Sequence, residues 1–185
     1  MSRTLTLPLA ALALAVAGCT AARHPTTTDP GIALDQRPER FRIVPDDYHV
    51  PYAGTAEDGR KFFLSQELVD AGSKRRAPSS YVGLFLWNAD GTFDRVEVDS
   101  VPRPAGVPAG QAVPAGADDL VAARLAELGD YELEPIEVEP FLTRVEGVRF
   151  GWHVGRYDDG QYYINIEPGD FIAYYAPWDG LEYDT

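Results

Sequence analysis

The chain has little of what usually staples a small domain together: one cysteine, one methionine and three histidines among 185 residues. A lone cysteine excludes an internal disulfide and any thiolate cluster for zinc or iron–sulfur. His24, His49 and His153 lie too far apart for the paired spacing of a helical zinc site. Basic residues are scarce too, 16 Lys and Arg against 29 Asp and Glu, for a formal charge of −13. That balance opposes a general electrostatic grip on nucleic acid or an anionic bilayer, and it suits a cationic partner. No glycine-rich phosphate loop follows a strand and no nucleophile elbow is present, so nothing in the sequence asks for a cofactor. Nor is there a calcium loop. Placing Gly91 or Gly160 at the sixth loop position puts Leu86 or Gly155 where the first carboxylate belongs, and no metal site is expected.

What is present is apolar and aromatic. Hydrophobic residues make up 45% of the chain, with ten Tyr, eight Phe and three Trp, enough to build a core by packing alone. The apolar run Leu5 through Ala17 follows Arg3 and is too short for a dependable membrane-spanning helix; it reads as an export signal. It closes in Val16-Ala17-Gly18-Cys19: an aliphatic residue, two small ones and the sole cysteine. This ending resembles the signal of bacterial lipoproteins. The resemblance covers residues 1–19 and implies removal of residues 1–18. It further implies a diacylglycerol on the Cys19 thiol and attachment to the membrane through that lipid alone. It places the protein in the cell envelope. Thr20, where an acid would retain the protein, points to the outer membrane facing the periplasm in an organism with two membranes.

Residues 19–40 are rich in Thr, Pro, Asp and Arg and show neither helical nor strand periodicity, which suits a tether. Residues 41–185 then have the length and apolar content of a single globular domain. Two hairpins dominate it. Val82, Leu84 and Leu86 alternate, residues 89–91 turn, and Phe93, Val96 and Val98 return. A three-residue loop with Gly91 in the left-handed position pairs Leu84 with Val96, Val82 with Val98, and sets Trp87 beside Phe93. Phe150, Trp152 and Val154 repeat the pattern around residues 158–160. The same loop form, with Gly160 left-handed, pairs Arg156 with Tyr162, Val154 with Ile164 and Trp152 with Ile166. Phe171 to Tyr175 should add a neighbouring antiparallel strand.

Between the hairpins, residues 101–117 repeat Pro-Ala-Gly and read as an irregular loop. Asp118 is placed to cap a helix over 119–128 whose apolar stripe is Leu120, Val121, Leu125 and Leu128, with Gly129 as its stop. Ser65 and Gly72 bracket a second short helix over 66–71. Around Pro135 the alternation changes phase, giving an edge strand with a bulge or two short strands. The expected class is α+β: a mainly antiparallel, twisted sheet built from hairpins, with one or two short helices packed on it.

Two groups of side chains invite a functional reading. The second hairpin puts His153 on the face opposite Phe150 and Val154, together with Tyr163 and Tyr157, where imidazole and phenol can do acid–base work. Gly151 and Gly155 flank it, so that strand either admits a close neighbour or leaves a shallow groove. The C-terminal segment keeps Tyr175, Trp178 and Tyr183 among Asp179, Glu182 and Asp184, which gives either closure of the core or an aromatic patch with an acidic rim. Together these features point to a lipid-anchored envelope protein that binds another protein, in one version as a protective or inhibitory partner of a basic protein. An envelope hydrolase using His153, Tyr163 and Tyr157 is a second class. A structural or ligand-carrying lipoprotein is a third.

The anchor is testable directly. Cys19→Ala should abolish acylation and release or stall the protein while residues 41–185 fold unchanged. Mass spectrometry of the mature N-terminus checks this; an unmodified cysteine, or cleavage elsewhere, rejects the lipoprotein assignment.

Overall fold

The segment Ser79–Trp87 carries no charge and, from Ser80 on, is buried along its whole length. A strand can bury in that way only when both its faces are covered, and the fold is arranged to cover them. The computed structural model describes residues 36–101, 116–169, 171–181 and, as backbone, 183–184. The export signal, the tether up to residue 35 and the Pro-Ala-Gly loop at 102–115 lie outside the described residues.

In chain order the elements are β1 (Phe41–Ile43), β2 (Tyr52–Ala56), β3 (Lys61–Asp70), β4 (Ser79–Trp87), β5 (Phe93–Val101) and α1 (Ala117–Ala126). They continue as β6 (Tyr131–Leu133), β7 (Ile136–Val138), β8 (Leu142–Val145), β9 (Val148–Arg156), β10 (Tyr162–Glu167), β11 (Ala173–Tyr174) and β12 (Tyr183–Asp184). The first sheet runs β5-β4-β3-β2-β6 and the second β12-β11-β10-β9-β8, while β1 and β7 form a separate ribbon. All the pairings are antiparallel. The result is a sheet-dominated α+β fold with one short helix among the described residues. Among the described residues, no helix is long and apolar enough to cross a membrane.

Two apolar layers hold these parts. One lies between the sheets: Phe63, Leu68, Tyr81 and Phe85 of the first meet Phe150, Trp152, Ile164, Ile166 and Tyr174 of the second, with Phe41, Ile43, Ile136 and Val138 of the ribbon closing the gap. The other lies on the far face of the first sheet, where Phe62, Leu64, Val82, Leu84 and Leu86 are covered by Ala117, Val121 and Leu128. Each large side chain so buried contributes about 1.5–3 kcal/mol. Arg124 then fixes the helix to the edge strand β5. Its Nε and Nη2 donate to Asp99 at 2.7 and 3.0 Å, and its Nη1 donates to Glu97 at 2.5 Å and Glu127 at 3.0 Å. The two-pronged pairing with Asp99 raises the guanidinium pKa above its ordinary value, although partial burial works against it.

Several expectations are corrected. Residues 66–71 are not a helix but the second half of β3, and Gly72 (φ 81°) serves the turn into β4 rather than a helix end. The register of β3 on β4 shifts between Ser65 and Leu68, so Phe63 and Leu68, of opposite parity, share the inter-sheet layer. The first hairpin starts as expected, with Trp87 opposite Phe93 and the Asn88 amide donating to the Thr92 carbonyl at 2.8 Å. A bulge past Trp87 then moves every later pair by one residue: Leu84 faces Glu97, and it is Phe85 that faces Val96. Helix α1 begins at Gly116, whose left-handed backbone (φ 101°) provides the cap; Asp118 and Asp119 lie inside the first turn, where their charges complement the helix dipole. The phase change at Pro135 resolves as two short strands in different sheets. The second hairpin pairs Arg156 with Tyr162, Val154 with Ile164 and Trp152 with Ile166. The strand following it is shorter than 171–175, with Tyr174 opposite Ile164.

Gly91 and Gly160 have φ of 82° and 95°, the left-handed backbone that both turns require. Their surroundings differ. A Cβ on Gly91 would come within 2.5 Å of the Glu137 carbonyl oxygen, whereas one on Gly160 would meet only the mobile end of Arg156 at 3.2 Å. Gly160→Ala should therefore cost about 1 kcal/mol, the backbone penalty alone. Gly91→Ala should cost distinctly more, because backbone must also give way. Chemical denaturation of both variants checks the ranking; equal losses would refute it.

Candidate functional site: the outer face of the second sheet

Strand parity decides what the second sheet shows to solvent. With Val148, Phe150 and Trp152 turned inward, Arg149, Gly151, His153 and Gly155 take the other face. Their cross-strand partners join them there: Arg144 opposite Arg149, Glu167 opposite Gly151, Asn165 opposite His153 and Tyr163 opposite Gly155. The helix covers the other sheet; the Glu167 end of this face is met by Val69, Asp70 and Arg76 from the end of β3 and its turn, and Asn165 and Glu167 are buried there.

The two glycines act by close approach. At Gly151 (φ 139°) a Cβ would run into the Phe141 carbonyl, which accepts the Trp152 amide at 2.6 Å. At Gly155 the Tyr163 ring lies where a side chain would be. Tyr163 continues into a row of rings. Its centroid is 4.6 Å from that of Tyr157, and Tyr157 lies nearly parallel (13°) to Tyr175 at 6.5 Å, with their hydroxyls 3.1 Å apart. Tyr157 remains 46% exposed. The turn beyond it carries the exposed Asp158 and Asp159. This end of the face is aromatic and acidic.

In the middle stands His153, whose Nδ1 is 3.6 Å from Glu167 Oε1. The other carboxylate oxygen of Glu167 accepts from Arg149 Nε at 2.6 Å. An imidazole beside a fixed carboxylate is half of an acid–base pair. Its contact with Tyr163 is a ring edge at 6.5 Å, so the expected His153–Tyr163–Tyr157 group shares a face but is not a hydrogen-bonded relay.

The far end is cationic. Arg76, Arg144 and Arg149 border a cleft of about 480 Å³ together with Asp70 and Glu167. Arg76 forks onto Asp70, Nε to Oδ2 at 2.9 Å and Nη2 to Oδ1 at 3.1 Å, while its neighbours Lys74 and Arg75 are exposed.

The C-terminal group is placed differently from an open patch. Trp178 is half-buried and packs on the inter-sheet layer, and its carbonyl accepts the Arg42 amide at 2.8 Å. Asp179 is also half-buried and accepts the Leu181 amide at 3.1 Å. Tyr183 pairs through its backbone with Tyr174, and Glu182 lies outside the described residues. Of this group, Tyr175 alone is seen to join the aromatic face.

Sequence reasoning missed Arg144, Arg149 and Glu167, and saw the basic cluster at Arg76 only as a loop, because nothing in the local pattern announced that these segments converge. It also missed His49, whose Nδ1 is 2.7 Å from Glu67 Oε2 beside a cavity of about 80 Å³ lined in part by Ser65 and Val121. Reading residues 66–71 as a helix hid that partnership.

The ring over Gly155 gives a local test. Gly155→Ala should displace Tyr163 and break its stacking on Tyr157, visible as a changed near-ultraviolet dichroism. The loss of stability should stay near 1–2 kcal/mol, because a side chain rather than backbone yields. An unchanged aromatic signal would show that the ring does not occupy that space. No protein-family model matches the chain, and no curated protein or solved structure proved similar to it, so the functional reading is carried by this face.

Proposed function

We propose that the protein is a lipid-anchored module of the cell envelope that binds a basic protein through the aromatic, acidic end of this face. The observation that carries the proposal is the row Tyr163–Tyr157–Tyr175, held on sheet strands and their turns, partly exposed and bordered by Asp158 and Asp159. Rigid tyrosines lose little entropy on contact and are favoured as binding anchors. The rim carboxylates, on a chain of charge −13, draw a cationic partner toward them. The anchor rests on the lipoprotein-like ending at Cys19. Protection against, or inhibition of, the basic protein is the version we favour.

The hydrolase reading has one observation in its favour, the His153–Glu167–Arg149 arrangement. Binding and catalysis separate by mutation. With a basic partner identified by crosslinking in the envelope, Tyr157→Ala should weaken its binding by about tenfold or more. Asp158→Asn with Asp159→Asn should mainly slow association and flatten its salt dependence. Tyr131→Ala, on the edge of the other sheet, should leave affinity unchanged. If the purified protein instead turns over a substrate and His153→Ala lowers that rate by about 100-fold without unfolding, the hydrolase reading replaces this one.

A further inference from the structure

The cleft at the other end of the face has an occupant class of its own. Its cations are arginines, gathered in a chain with almost twice as many acids as bases. Two of them aim at one point: Arg76 Nη1 and Arg144 Nη1 both donate to the Gly147 carbonyl, at 3.4 and 3.2 Å. That carbonyl belongs to the tight β8–β9 turn, where Glu146 and Gly147 have φ of 50° and 84°. The cleft is therefore shaped by backbone as well as by side chains. Asp70 is taken by Arg76, and Glu167 by Arg149 through Nε. Arg144 has no carboxylate partner among the described residues. Three guanidinium groups stand against two carboxylates, so the lining carries one surplus positive charge. Val69 and Pro168 supply apolar wall, and the volume is in the range of small-molecule sites.

We propose that this cleft binds the carboxylate of a small organic acid, with Arg144 and the outer edge of Arg149 as its cationic contacts. A planar monoanion matches the arginine fork and restores local neutrality, whereas a phosphate dianion would leave the site overcharged. Its compact apolar body would rest on the valine and proline wall. Arg149 lies eight residues from Tyr157, roughly 26 Å at strand rise, so the cationic contacts are separate from the protein-binding end and either can fail without the other.

Titration of the full chain with sodium benzoate, followed by amide chemical shifts, tests this. Saturable shifts at Gly147, Val148 and Gly169 are expected, with Arg144→Gln weakening the binding by about tenfold. Arg75→Gln, exposed and outside the cleft, should change nothing. Arg149→Lys, which keeps the charge and loses the fork, should also weaken binding; it serves in place of Arg144→Gln if that variant shows a lowered denaturation midpoint. Shifts that do not saturate, or that persist in both variants, would overturn the site. Tighter binding of inorganic phosphate than of benzoate would overturn the carboxylate assignment.

Discussion

The Trp152 indole packs against Phe63 of the first sheet at 5.3 Å, Phe41 of the ribbon at 5.2 Å and Tyr174 of its own sheet at 5.5 Å, and much else follows from satisfying those contacts together. Burying that ring fixes the parity of β9. Once Trp152 is inward, Arg149, His153 and Gly155 have nowhere to go but outward. The candidate site is thus a by-product of the core: a one-residue slip would bury an arginine and a histidine and expose the indole. The ribbon matters for the same reason, since Phe41 can reach the indole only because β1 is held by β7 on one side and by the Trp178 carbonyl on the other.

How much could be read in advance depended on whether alternation survived intact. Along β9 and β10 it did, and the three pairs expected there stand as expected. Along β4 and β5 the turn was legible but the bulge after it was not, because a bulge inserts a residue without leaving a compositional mark. In β3 the same kind of irregularity had a stronger effect. The shift between Ser65 and Leu68 breaks the alternation, sending Leu64 to the helix layer and Leu68 to the inter-sheet layer, and Ser65 and Gly72 on either side then read as the cap and stop of a helix. Of the site, the His153 face was legible from parity. Glu167, Arg144 and Arg76 come from the end of β10, from β8 and from the β3–β4 turn, and contacts between such distant segments have no local signature.

The face is electrically polarised in a way that net charge conceals. Tyrosine and aspartate hold one end and arginine the other, with the Arg149–Glu167–His153 group between them. A charge of −13 says that the molecule repels polyanions at a distance; within a Debye length, the cleft inverts that preference for a ligand small enough to enter it. Long-range attraction and short-range recognition can therefore select different molecules on one sheet.

The uncharged nine-residue strand β4 has a consequence outside the folded state. Such a segment, rich in aromatic and aliphatic residues and free of proline, is the kind that self-associates into stacked sheets whenever the chain is unfolded. Its flanks carry the means to oppose that. Lys74, Arg75 and Arg76 precede it and Asp90 and Asp94 follow it, so neighbouring chains stacking in register would bring like charges together at both ends of the zipper. The basic cluster, out of place in so acidic a sequence, thereby guards the most adhesive stretch of the chain before the two sheets have closed over it.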